Sequence, residues 1–202
     1  MNDPQEKRPA EVTDIRNRAL EDLGYIRRAM EGAGSFTAVP GLGQVAAGCT
    51  ALLAAAVAYV QPDRLSWLLV WTAELALAMV IVITAMVLKA KRIGHLLTAP
   101  PARKTFLGMI PALAAGAVLS LVAVRSGDLA TLPGTWLLLY GAAVASGGVS
   151  SVRIVPVMGA SFMVCGLFAL LSPPGFTDLF LALGFGGLHI FFGARIAKHH
   201  GG

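Results

Sequence analysis

The sequence predicts an all-α integral membrane protein: six transmembrane helices as three hairpin repeats, preceded by a cytoplasmic amphipathic helix. Three observations predict it. First, 56% of the 202 residues are hydrophobic and 13% are charged, with a mean hydropathy of +0.71. A soluble domain carries roughly 25% charged residues, so this chain has too little polar surface to cover a globule. Second, six apolar stretches follow one another, each separated from the next by turn chemistry or charge. Third, fourteen of the sixteen Lys and Arg residues fall on one side if those stretches alternate in direction.

Residues 1–36 form the expected cytoplasmic tail. Val12, Ile15, Ala19, Leu23, Ile26 and Met30 recur at steps of three and four, which predicts an amphipathic helix over about 11–32. The tail holds six basic and seven acidic side chains. Helices that lie on a membrane surface are strongly basic, so this balance favours packing against protein.

Residues 37–202 form the expected transmembrane domain, with spans at 39–60, 65–88, 106–124, 132–151, 154–171 and 179–197. Each has roughly 18–24 residues, enough to cross about 30 Å of hydrocarbon. Pro62-Asp63, Pro100-Pro101, Ser126-Gly127-Asp128 and Pro173-Pro174-Gly175 mark four of the breaks. Arg64 and Arg125 are the only basic residues on the side opposite the tail. The positive-inside rule then places both ends in the cytoplasm of an inner membrane.

Three stretches begin alike, at Val39-Pro40-Gly41, Ile110-Pro111-Ala112 and Val155-Pro156-Val157. Proline in a first turn loses no hydrogen bond, and three such starts on alternate helices suggest three hairpins. Trp67-Leu68-Leu69-Val70-Trp71 and Trp136-Leu137-Leu138-Leu139-Tyr140 match on the return helices. The later hairpins add Gly159, Gly166, Pro173-Pro174, Gly184, Gly186-Gly187 and Gly193. This glycine and proline pattern resembles the HdeD-like acid-resistance membrane proteins, a six-helix family of hairpin repeats. More generally it resembles small six-helix bacterial membrane proteins. The resemblance covers about Phe106 to the C-terminus. It implies a stress role facing the periplasm, with no catalytic residues to carry over. The N-terminal helix and the stretch around Glu74 depart from that family.

Glu74 is the one charged residue of 65–88, and an ionisable group inside a span is costly enough to mark a candidate site. At 1.5 Å per residue it lies roughly 13 Å below the outer boundary, with His189 at roughly 15 Å and Tyr140 at roughly 12 Å. Thr50 falls near the middle as well. One reading joins Glu74 and His189 as a pair exchanging a proton near neutral pH, completed by the Tyr140 and Thr50 hydroxyls. The other makes these groups glue between helices.

Lys89, Lys91, Arg92, Arg103 and Lys104 form the densest basic cluster and are expected to touch anionic lipid or an acidic partner face. Trp67, Trp71 and Trp136 are expected as interfacial anchors, and Cys49 and Cys165 as small core residues rather than a disulfide. No metal-ligand spacing, nucleophile elbow or phosphate loop occurs, so no metal, cofactor or enzymatic activity is expected. The partners expected are the lipid bilayer, a second copy or another membrane protein, and no nucleic acid. The leading functional expectation is a non-enzymatic interaction or stress-related membrane component. The competing one is a small proton- or cation-coupled transporter built on Glu74 and His189.

Overall fold

Six helices follow the tail in the computed structural model, which describes residues 17, 18, 20–26, 34–94 and 97–200. We label them α1 (Gly41–Tyr59), α2 (Arg64–Arg92), α3 (Pro100–Ser126), α4 (Leu132–Gly148), α5 (Ile154–Leu171) and α6 (Thr177–His200). All except α4 are long and apolar enough to cross a membrane, as in a multi-pass membrane protein; α4 has 17 residues. No strand occurs among the described residues, only a single bridge between Phe36 and Ser151.

The chain divides into two units, Met1–Gly34 and Ser35–Gly202. In the first, residues 17, 18 and 20–26 are helical. The rest of the helix expected at 11–32, including Val12, Ile15, Ala19 and Met30, lies outside the described residues.

Local chemistry sets the helix ends of the second unit. Asp63 caps α2 by accepting from the Leu65 and Ser66 amides, each at 2.9 Å, and from the Ser66 hydroxyl at 2.7 Å. Helices α2 and α3 are each followed by a glycine in the left-handed region, Gly94 at φ 67° and Gly127 at φ 75°. Helix α3 starts at Pro100-Pro101, where a missing N–H costs nothing. Pro111 therefore lies inside α3 rather than in its first turn, and the expected set of three matching starts loses one member.

Glycines decide which helices touch. A Cβ on Gly134 would sit 3.0 Å from the Gly166 carbonyl oxygen, and one on Gly141 would sit 2.7 Å from that of Gly159. These positions are seven residues apart on α4 and on α5, so one face of each helix is bare backbone, and the pair runs antiparallel. Gly41 and Gly48 on α1 face Gly193 and Gly186 on α6 in the same way. Without side chains between them the backbones approach closely, which is how apolar helices gain packing energy in lipid. Helix α4 thus packs between α3 and α5, α1 packs between α2 and α6, and α6 also touches α4 and α5. Helices α2 and α3 bury few residues, and their exposed side chains include Leu75, Val80, Val118 and Val122.

Candidate functional site

The four polar residues singled out from the sequence fall into two pairs. On α1, Thr50 Oγ1 lies 2.8 Å from Glu74 Oε1 of α2 and 2.9 Å from the Ala47 carbonyl oxygen. A threonine hydroxyl has one proton and cannot donate to both. Both contacts are satisfied when Glu74 carries a proton and donates it to Thr50, whose own proton goes to Ala47. Glu74 is buried, with 8% of its surface exposed.

The second pair joins α4 to α6. Tyr140 Oη and His189 Nε2 are 2.7 Å apart, and His189 Nδ1 lies 2.9 Å from the Phe185 carbonyl oxygen. A carbonyl only accepts, so Nδ1 carries the hydrogen. In the neutral ring Nε2 is then an acceptor, and Tyr140 donates to it. Residues Ala182–Leu188, just before His189, form a π-helical segment. The His189 amide bonds Gly186 there, and the imidazole takes the Phe185 oxygen in its place. Single π turns of this kind recur at functional sites.

A chain of rings surrounds the second pair and reaches Trp71 on α2. Trp71, one turn before Glu74, lies 6.3 Å from Phe185, whose ring in turn stacks on His189 at 6.1 Å and 19°. Phe162 of α5 closes on Tyr140 at 4.9 Å and on His189 at 5.0 Å. The contacts continue to Trp67 and then Trp136, stacked at 5.8 Å. No hydrogen bond among the described residues joins Glu74 to His189; each is paired with a hydroxyl instead.

Trp67 and Trp71 are each 4% exposed and so are core residues, not interfacial anchors. Trp67 can be buried because its indole N–H donates to Asp178 Oδ1 at 2.6 Å; Trp136 likewise donates to Ser120 Oγ at 2.7 Å. Trp71 Nε1 is buried without a partner. Cys49 is exposed on α1, against its expected core position, and both cysteines are free thiols.

The chain matches no protein-family model, no curated protein and no solved structure. The resemblance to the HdeD-like proteins therefore rests on glycine and proline spacing alone.

The basic cluster also divides. Lys91, Arg92, Arg103 and Lys104 are exposed. Lys89 is not a surface contact: it is 5% exposed, and its ammonium donates to the Val39 oxygen at 2.9 Å and to the His200 oxygen at 2.8 Å. Burial next to the His200 carbonyl, left over at the end of α6, and the Val39 carbonyl, just before α1, turns this lysine into a clamp on three chain segments. Two small cavities, of about 190 and 120 Å³, lie at other places; neither is lined by Glu74, Thr50, His189 or Tyr140. Among the described residues no three His, Cys, Asp or Glu side chains gather as metal ligands would.

The sequence reading did not find Asp178, Ser120 or the structural role of Lys89. Their partners are 16 to 111 positions away, and no local pattern marks them. The seven-residue glycine spacing was a readable signal for the α1–α6 and α4–α5 contacts.

Proposed function

We propose that this chain is a non-enzymatic inner-membrane interaction component. It crosses the bilayer six times, with α4 as the short sixth span, as the hairpins α1–α2, α3–α4 and α5–α6. Both ends face the cytoplasm. The observation that carries this reading is that Glu74, Thr50, His189 and Tyr140 have partners inside the bundle. Groups engaged in this way hold helices together, at about 0.6 kcal/mol per hydrogen bond on average. What is left for recognition is surface: the apolar faces of α2 and α3, and the charge-balanced tail segment 11–32.

Affinity purification in mild detergent tests the reading. A stoichiometric protein partner is expected, and deletion of residues 11–32 is expected to release it. Purification of the intact chain with no partner overturns it. A periplasm-only reporter fused after Gly202 is expected to stay silent, and activity there refutes the orientation.

A second reading, a proton-coupled transporter, draws support from one feature: the Thr50 hydroxyl bonds both the Ala47 carbonyl and the Glu74 carboxyl, which can gain or lose a proton. Proton or cation flux through wild-type protein in liposomes, abolished in Glu74→Gln, would replace the interaction reading with this one.

A further inference from the structure

At the basic end of α2, a cavity of about 120 Å³ opens between α1 and α2. Its apolar wall is formed by Leu42, Ala85 and Leu88, and its polar rim by the exposed Arg92; Lys89 lines it too, but its ammonium is held by the Val39 and His200 carbonyls. Leu42 and Leu88 are 62% and 51% exposed, so the apolar wall continues onto the outer surface of the helices. Pro40, the N-cap of α1, offers no side-chain hydrogen bond to the first turn. No acidic side chain in its first turn offsets the positive end of the helix dipole there, which favours negative charge. Arg92 supplies a planar guanidinium that can grip two phosphate oxygens at once.

We propose that this groove is a site for one anionic phospholipid. The phosphate would sit between Arg92 and the start of α1, and an acyl chain would run over Leu42 and Leu88. Two features favour a lipid over a free phosphate ion. The cavity has room for a phosphate group but is walled mainly by aliphatic side chains. It also lies at the end of a long apolar helix, which a bilayer spanned by that helix would meet with its headgroups. The inference rests on the membrane-spanning reading above. It specifies a ligand rather than a protein partner.

The test is native mass spectrometry of the full chain in detergent, titrated with phosphatidylglycerol and, separately, phosphatidylcholine. Phosphatidylglycerol is expected to bind at one copy per chain about tenfold more tightly than phosphatidylcholine. Arg92→Ala is expected to remove most of that preference. Lys91→Ala, an exposed neighbour outside the groove, is expected to keep it. Leu42→Trp fills the apolar wall without changing charge and is expected to weaken both lipids. Equal binding of the two lipids overturns the proposal. So does an equal loss in Arg92→Ala and Lys91→Ala, which means diffuse positive charge, or displacement of the lipid by inorganic phosphate, which means an anion site. Lipid binding in detergent is read independently of protein partners and of orientation, so its failure is separate from failure of the interaction reading.

Discussion

Tyr140 and His189 test how much one buried hydrogen bond matters in this core. Removing the hydroxyl in Tyr140→Phe leaves Nε2 without a donor. The loss is expected at about 1–2 kcal/mol, because the acceptor stays buried and unpaired. A double-mutant cycle with His189→Phe should show a coupling of about 0.6–1.7 kcal/mol in unfolding titrations. Additive effects would mean that the 2.7 Å contact carries no energy of its own. Lys89→Met should cost more, about 2–3 kcal/mol, since two carbonyls lose a charged donor together. Limited proteolysis should then release the end of α6 first. Asp63 gives a pH dependence. The Ser66 amide, then the Ser66 hydroxyl, hold its carboxyl below the ordinary range, with the Leu65 amide adding to them. A depressed native value means that the cap contributes fully above the unfolded value of about 3.9 and is lost as pH falls through the native one. Amide exchange at Leu65 and Ser66, corrected for intrinsic rates, should rise over that acidic window in the wild type. It should show no such step in Asp63→Ala.

Among the elements, the contact between α4 and α5 makes the sharpest claim. A methyl group at Gly141 would meet the Met163 amide nitrogen at 2.6 Å, and backbone cannot rotate away. Gly141→Ala is expected to destabilise by about 1–3 kcal/mol through overpacking. At Gly187, inside the π-helical segment, nothing lies within 4 Å of the added carbon, so Gly187→Ala should be neutral or slightly stabilising. Equal effects at the two sites would show that bare backbone is not what joins these helices. The helices themselves were legible from apolar length and turn chemistry, with ends a few residues off. The start of α3 was not, because the charged run through Arg103 and Lys104 hid the fact that Pro100-Pro101 opens a helix. Of the site, the residue types could be read. The pairing could not: Glu74 meets a hydroxyl on α1, and His189 meets one on α4, and neither contact leaves a pattern in the local sequence. Trp67 and Trp71 looked like interfacial anchors because Asp178, 111 positions from Trp67, gives no local sign of its role.

At the scale of the molecule, burial is unevenly shared. Leu137 and Phe162 are fully enclosed, while α2 and α3 present most of their apolar side chains outward. Leu137→Ala should cost about 2–5 kcal/mol, as cavities in a packed interior do. Val80→Ala and Val122→Ala should stay within about 0.5 kcal/mol in detergent, where no internal contact is lost. A large loss at either outward valine would reveal a protein neighbour on that face.

The α1–α6 contact has a consequence for biosynthesis. Helix α1 leaves the ribosome well before α6, against which it packs its glycine face, and Lys89 must wait for a carbonyl 111 positions further along the chain. Until α6 is inserted, α1 holds an unfilled groove and Lys89 lacks one of its acceptors. A nascent chain stalled before residue 186 should therefore be a substrate for membrane quality control. Completion of the C-terminal helix is the step that commits the newly made protein to its final form.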